Sequence, residues 1–235
     1  MAQTLVTIAK IHTGFPSKFG VPRQSGLVKE LTGRIVFEEE YRNREALKGL
    51  SEYSHLWLLW DFSLSHRKEF SPTVYPPRLG GNIPKGVWAT RSPFRPNSIG
   101  LSCVRIEEII EQSSDGPQII VSGVDMVDGT PIYDIKPYLP YTDSIPDARG
   151  SFGQEHSTDT LKVDFPKRWK DAIPAEMYPA VRAILEQDPR AAYNKRPGYV
   201  YGMEYNGYDI RFTVENGVIT VTEIVVVNAD TIKIK

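Results

Sequence analysis

Two arginines and two prolines occur within six residues of the stretch RSPFRPNSIGLS, residues 91–102. The guanidinium groups of Arg91 and Arg95 can bind a carboxylate through paired hydrogen bonds or stack on an aromatic face. Pro93 and Pro96 fix the backbone and disfavour both a helix and a central strand. The stretch therefore predicts a rigid, extended binding arm. For Arg95, a structural role in bracing the loop is the alternative.

Three more segments are rich in polar residues or glycine and fall between predicted N-terminal strands. They are FPSKFGVPRQSGLV at 15–28, SHRK at 65–68 and DIKPYLPYTDS at 134–144. Loops on a β scaffold often carry binding groups, because the rigid strands position them. Each segment alone is explained by a solvated loop, but the four together predict a ligand site at the mouth of a barrel.

Familiar catalytic and nucleotide-binding motifs are missing from the sequence. It has no GxGxxG, HExxH or GxSxG pattern, and GGNIPKG at 80–86 lacks the spacing of a phosphate-binding loop. The four histidines are scattered and have no cysteine partners: His12, His55, His66 and His156. These absences disfavour a Rossmann nucleotide site, a serine hydrolase and a zinc site, so no metal is expected.

The composition is that of an ordinary globular chain, with 235 residues, a net charge of −1 and 40% hydrophobic residues. Its single cysteine, Cys103, excludes an internal disulfide and favours a reducing compartment. The apolar neighbours of Cys103 predict a buried, unreactive thiol. There is no signal-peptide pattern, and the longest apolar run, LWLLW, is too short to span a bilayer. We therefore expect a cytoplasmic protein without a membrane partner.

The N-terminal part, residues 1–145, is predicted to be rich in strands. The candidate strands are 5–12, 34–37, 55–62, 87–90, 99–110, 118–124 and 131–135, with one short helix at 44–50. Many strands with almost no helical period between them favour a closed antiparallel barrel or a sandwich. Residues 146–160 are polar and aperiodic, and they predict a linker.

The C-terminal part, residues 161–235, has a different pattern. A helix is predicted at 175–187. Two Asn-Gly pairs, at 206–207 and 216–217, separate three strand-like runs, and Asn-Gly favours the type I′ turn of a hairpin. The predicted fold class is thus mainly β: an antiparallel β-barrel followed by a small α+β domain with a three-stranded meander.

Four long motifs, in this order, resemble the signatures of the TsaA-like family, also called TrmO. They are FPSKFGVPRQSGLV, HLWLLWDF, GVWATRSPFRPNSIGLS and DIKPYLPY, and DPRAAY at 188–193 extends the resemblance. The resemblance implies a non-Rossmann β-barrel methyltransferase that uses S-adenosylmethionine and works as a homodimer. The implied reaction is methylation of N6 of threonylcarbamoyladenosine beside the anticodon of certain tRNAs (t6A to m6t6A). Ser98 is a departure, because the family usually has proline there.

The same resemblance implies roles for individual residues. The positions that would contact the methyl donor are Gln24, Ser25, Gly26, Ser65, His66, Arg91, Leu101, Tyr141, Thr142, Asp143 and Ser144. Arg91 would pair with the carboxylate or the adenine of the donor, and Asp143 with its ribose or ammonium. The acceptor nitrogen must lose a proton, for which His66, Asp143 and a bound water are candidates.

A surface for tRNA is predicted in residues 161–201, which hold eight basic and five acidic residues with aromatic rings among them. The residues expected to bind tRNA are Lys167, Arg168, Arg190, Tyr193, Lys195 and Arg196. A mildly basic, solvated domain explains the same composition.

Two other interpretations of the whole chain stay open at this point: a non-enzymatic RNA-binding barrel, and a hydrolase or binding protein for an anionic metabolite.

Overall fold

The computed structural model describes residues 4–155, 159–190 and 196–227, and its N-terminal part is a closed, six-stranded antiparallel barrel. In chain order the strands are β1 (Ala9–Thr13), β2 (Thr32–Phe37), β3 (His55–Asp61), the short β4 (Thr73–Val74) and β5 (Lys85–Gly86), β6 (Ile99–Ile110), β7 (Gln118–Ser122) and β8 (Thr130–Pro137). The barrel closes in the order β1-β2-β7-β6-β3-β8, and β4 pairs with β5 outside it. The predicted barrel is confirmed.

Alternation of side chains along β3 separates the barrel interior from its outer face. Leu56, Leu58 and Trp60 are buried inside, whereas Trp57 and Leu59 point outward. In the pairing of β3 with β6, Trp60 faces Gly100, and a side chain at position 100 would overlap the indole ring. The absence of a side chain at position 100 therefore makes room for Trp60 in this wall.

The C-terminal part contains a four-stranded sheet. Its strands are β9 (Lys162–Asp164), β10 (Tyr201–Tyr205), β11 (Tyr208–Glu215) and β12 (Val218–Val226), in the order β10-β11-β12-β9. The predicted three-stranded meander is confirmed, and both residues of each Asn-Gly turn have φ between 47° and 79°, as type I′ turns demand. Strand β9 runs parallel to β12. The sequence does not predict it, because three residues are too few to show a period.

The described helices are short: α1 (Pro140–Asp143), α2 (Ser151–Glu155), α3 (Lys167–Lys170) and α4 (Tyr178–Glu186). The helix predicted at 175–187 begins later, so Pro179 lies in its first turn, where a missing N–H costs no hydrogen bond. Helix α2 falls within the predicted linker 146–160. Within the described ranges, none of the helices combines the length and the apolar character needed to cross a bilayer.

Two local predictions are wrong. Residues 87–90 contain a 3₁₀ turn, Val87–Ala89, instead of a strand, because the N–H and the hydroxyl of Thr90 both bond to the carbonyl of Val87. The helix predicted at 44–50 is replaced by two 3₁₀ turns, Arg44–Leu47 and Leu50–Glu52. Gly49 separates the two turns with a φ of +82°.

One hydrophobic core runs from the barrel into the C-terminal sheet. The rings of Phe15 and Tyr205 are 5.0 Å apart, and Met203 fills the space in front of Gly20. The segment that follows β1 is therefore packed between the two parts of the chain. It leads directly into the predicted site residues 24–26.

Candidate functional site

The outer face of β3 and β6 forms the floor of the candidate site. Leu59 and Leu101 lie opposite each other in the register of the two strands, as do Trp57 and Cys103. Leu101 is 48% exposed although it belongs to a barrel strand. An apolar side chain in this position offers a surface on which a flat ligand such as a nucleobase can pack.

The loop at residues 24–26 forms one wall beside this floor. Strand β7 pairs with only the second half of β6, so the edge of the first half is open to the loop. There the hydroxyl of Ser25 accepts a hydrogen bond of 3.1 Å from the N–H of Cys103. Gly26 donates to the carbonyl of Gly123 at 2.9 Å and has a φ of +77°. A Cβ on Gly26 would meet nothing within 4 Å in the described part of the chain, so the turn leaves room for a ligand.

Arg91 extends the same wall. Its Nη1 donates a hydrogen bond of 2.6 Å to Oε1 of Gln24, which joins the proline-bounded arm to the loop. Arg95, the second arginine of the arm, donates from Nη1 to the carbonyls of Val87 (3.1 Å) and Thr90 (2.8 Å). The structure thus places Arg95 in the bracing position and Arg91 at the candidate site.

The buried carboxylate of Asp125, which sequence reasoning does not identify, lies beside the loop that carries Ser25. Oδ1 of Asp125 accepts a hydrogen bond of 2.6 Å from Ser102 Oγ, and Ser102 accepts one of 2.9 Å from the indole N–H of Trp60. The N–H of Ser25 also donates to Asp125. Burial raises the pKa of Asp125 to about 6, despite these hydrogen bonds and the nearby charge of Arg91. The hydrogen bonds connect the barrel interior to the loop that carries Ser25.

Asp143 stands at one end of the floor. Its Oδ2 accepts hydrogen bonds from the indole N–H of Trp57 (2.8 Å) and from the N–H of Leu139 (2.9 Å). Burial, and then the charge of Asp143, raise the pKa of the Cys103 thiol, which disfavours the nucleophilic thiolate. Cys103 is half-buried on the outer face and not in the core, which corrects the prediction of a buried side chain.

His66 stands at the opposite end of the floor. Its Nε2 is 2.7 Å from Oδ1 of Asp61, the last residue of β3. Trp57, the partner of Asp143, and Asp61 are four residues apart along this strand, a distance of about 13 Å. The two side chains predicted as proton acceptors are therefore separated by the length of the floor.

The remaining predicted donor-contacting residues belong to the segments that carry His66 and Asp143. The hydroxyl of Ser65 lies 3.4 Å from Nζ of Lys18. Tyr141 and Thr142 belong to α1 and Ser144 follows it, and all three are exposed. The structure thus brings Gln24, Ser25, Arg91 and Asp143 to the outer face of β3 and β6, while a ligand site at the barrel mouth stays a prediction. Strand β6 extends beyond its partner β7, which leaves room for the loop at residues 24–26 beside the first half of β6.

The residues predicted to bind tRNA lie in the C-terminal part. Lys167, Arg168 and Arg196 are exposed. Tyr193 and Lys195 fall outside the described residues.

Arg190, the remaining residue predicted to bind tRNA, is not exposed like the others. It is only 7% exposed, and it donates hydrogen bonds of 2.7 and 3.0 Å to the two carboxylate oxygens of Asp188. This geometry favours a structural role. A cleft of about 410 Å³ lies beside this ion pair, between residues 187–190 and residues 18–23, which precede Gln24 in sequence.

Comparison with known proteins gives a consistent result along the chain. A family profile described as tRNA-methyltransferase O N-terminal domain matches residues 10–144, and one described as TrmO C-terminal domain matches residues 159–227. The tRNA (adenine(37)-N6)-methyltransferase of Escherichia coli K12 is 40% identical over 215 residues, which cover 88% of this chain and 91% of that protein. A Pseudomonas aeruginosa protein with the name "Putative S-adenosylmethionine-dependent methyltransferase RcsF" is 35% identical over 90% of this chain and 93% of its own length.

The fold leads to the same result. The crystal structure of TrmO from Pseudomonas aeruginosa matches with a TM-score of 0.76 at 30% sequence identity, over 96% of this chain and 97% of that one. The match therefore includes both the barrel and the C-terminal sheet. Since two adjacent profiles, relatives aligned along most of the sequence and a solved structure all agree, this chain belongs to the TrmO family.

Proposed function

We propose that this chain is an S-adenosylmethionine-dependent tRNA methyltransferase that methylates N6 of N6-threonylcarbamoyladenosine next to the anticodon (t6A to m6t6A). Membership of the TrmO family supports the reaction class. One structural observation supports the proposal: residues from separate segments, each expected to contact a methyl donor, are bonded to or beside Trp57 and Cys103 on the outer face of β3 and β6, which also carries the exposed Leu101. Barrel stability alone does not call for an arginine, a glycine turn and a carboxylate around an exposed leucine.

The residues around Leu101 suit the chemical groups of S-adenosylmethionine. Leu101 offers an apolar surface for the adenine, and Gly26 leaves space in the wall beside it. Arg91 supplies a cation for the carboxylate, and Asp143 an anion for the ammonium or the ribose hydroxyls. When bound, this donor supplies a methyl group that its sulfonium has already activated. The task of the protein is therefore mainly to position the reactants and exclude water.

In this proposal His66 accepts the proton that the acceptor nitrogen must lose. Because Asp61 is a carboxylate, the ring nitrogen that faces it, Nε2, carries a hydrogen and leaves the lone pair on Nδ1. That lone pair can take up a proton, and Asp61 then stabilises the imidazolium. Asp143 is the weaker candidate, because two N–H donors already bind its Oδ2.

The proposal extends to the organisation of the chain. Residues 1–145 bind the donor, residues 146–160 connect, and residues 161–235 contact tRNA. The exposed cations of α3 support the last assignment. A homodimer in the cytoplasm completes the proposal, in keeping with the family resemblance.

The nucleosides of tRNA from a strain that lacks the gene provide the test. Mass spectrometry is expected to show loss of m6t6A and a matching gain of t6A. A plasmid copy of the gene restores m6t6A, and a copy with Arg91→Ala does not. An unchanged m6t6A content in the deleted strain contradicts the proposal.

A further inference from the structure

The segment between β3 and β6, residues 63–98, carries a surface that the proposed donor site does not use. Phe70 and Trp88 are 54% and 67% exposed, and their rings lie 6.0 Å apart with 24° between their planes. We call this pair the aromatic platform. Two large neighbouring rings left in solvent indicate a contact surface, because burying them would be favourable.

Backbone contacts hold the aromatic platform in place. Strands β4 and β5 pair beside it, and the N–H of Val87 donates to the carbonyl of Pro72 at 2.9 Å. The guanidinium of Arg95 lies 5.1 Å from the Trp88 ring while it bonds to the carbonyls of Val87 and Thr90. The rings are therefore preorganised, and a ligand that stacks on them loses little entropy in ordering them.

The same segment is strongly basic. It holds six basic residues and one acidic residue, a balance of +5 in a chain whose net charge is −1: Arg67, Lys68, Arg78, Lys85, Arg91 and Arg95 against Glu69. Exposed rings among cations are suited to single-stranded nucleic acid, because cations pair with phosphates while bases stack on the rings. A second copy of the chain fits less well, because a two-fold interface would bring two surfaces of the same charge together.

The aromatic platform also adjoins the candidate donor site. Trp88 precedes Arg91 by three residues, which span at most about 10 Å, and Arg91 binds Gln24 in the wall of the site. Neighbouring nucleotides of one RNA loop can therefore reach both places. We propose, on the basis of the proposed function, that Phe70 and Trp88 stack with unpaired anticodon-loop bases that flank the methylated nucleotide.

The test measures the affinity of a synthetic anticodon stem-loop RNA for variants of the full-length protein. Trp88→Ala and Phe70→Ala are each expected to weaken binding about 10-fold or more, whereas Trp88→Phe keeps a ring and most of the affinity. Tyr53→Ala removes a 40% exposed ring outside the segment and is expected to bind RNA as the wild type does. Calorimetry is expected to give the same Kd for S-adenosylmethionine in all four variants as in the wild type.

Fluorescence provides a measurement that does not depend on the alanine variants. RNA is expected to quench the emission of Trp88, and this part of the quenching is absent in Trp88→Phe. RNA affinity unchanged in both alanine variants, with wild-type unfolding temperatures, overturns the inference and leaves the methyltransferase proposal intact. A change from dimer to monomer in Trp88→Ala, seen by sedimentation, also overturns it. If the wild type does not bind S-adenosylmethionine, the proposed function is refuted. Weaker RNA binding by Trp88→Ala would in that case still support the aromatic platform as an RNA-binding surface.

Discussion

Nη1 of Arg91 lies 2.6 Å from Oε1 of Gln24, although 67 positions separate the two residues in sequence. This hydrogen bond joins the proline-bounded arm to the glycine-containing loop beside Leu101. Both side chains are solvent-accessible, so a ligand carboxylate can replace the amide oxygen as the partner of Arg91.

Replacing Arg91 tests whether this cation binds the methyl donor. Arg91→Ala is expected to weaken S-adenosylmethionine binding at least about 10-fold, because hydrogen bonds to a charged group are lost. Isothermal titration calorimetry measures the Kd. Arg105→Ala removes an exposed arginine from strand β6, which follows the arm, and serves as the control. Equal affinities in both variants would exclude the role of Arg91. If the wild type shows no saturable binding of S-adenosylmethionine, the two other interpretations are favoured: a non-enzymatic RNA-binding barrel, or a hydrolase or binding protein for an anionic metabolite.

The His66–Asp61 pair predicts an effect on the chemical step. His66→Ala is expected to leave the Kd for S-adenosylmethionine nearly unchanged but to slow methyl transfer about 100-fold, the lower range for loss of a general base. Rapid-quench single-turnover measurements separate this step from binding. Asp61→Asn is expected to slow transfer less, because the imidazole remains. A wild-type rate in His66→Ala would end the candidacy of this residue.

The carboxylate of Asp125 gives the stability of the protein a defined pH dependence. Its pKa of about 6 lies above the ordinary value of 3.8, so the folded protein binds this proton more tightly than the unfolded chain does. Its contribution to the free energy of unfolding therefore increases as the pH falls through 6 and levels off below 3.8. Relative to Asp125→Asn, the wild type is expected to gain about 1 kcal/mol between pH 7 and pH 5 in urea unfolding. Parallel profiles of the two proteins would show that Asp125 does not titrate in this window.

The cations of α3 predict a salt-dependent effect on tRNA binding. Lys167→Ala combined with Arg168→Ala is expected to weaken tRNA binding and to reduce the slope of log K against log salt by about 1 to 2. The affinity for S-adenosylmethionine is expected to stay constant. Lys10→Ala, a loss of one exposed charge on β1, is the control. If the double variant has the same slope as the wild type, Lys167 and Arg168 do not contact the phosphates of the tRNA.

Two arginine–carboxylate pairs in the C-terminal part predict contrasting effects on stability. The Arg190–Asp188 pair is buried, with 7% and 17% of the side chains exposed, whereas the Arg182–Glu186 pair is 47% and 35% exposed. Arg190→Ala is expected to lower the free energy of unfolding by about 3 kcal/mol, because it leaves a mostly buried carboxylate without its partner. Arg182→Ala is expected to have little effect, because water screens the exposed pair. Similar losses in urea unfolding of the two variants would contradict this assignment.

Most of the architecture could be predicted because its signals are local. The short apolar run LWLLW identifies β3, and the Asn-Gly pairs identify the hairpins of the C-terminal sheet. The packing of the loop at residues 24–26 against the first half of β6 could not be predicted, because it depends on the unequal lengths of β6 and β7. Asp125 and Trp57 also have no local signature. Their roles arise from contacts with Ser102 and Asp143, which are far away in sequence.

The packing of Met203 on Gly20 and of Tyr205 on Phe15 has a consequence for any shortened form of this chain. A barrel cut free of its C-terminal sheet would expose the buried ring of Phe15 to water, so we expect a shortened chain of residues 1–145 to be less stable and more prone to aggregation than the whole chain.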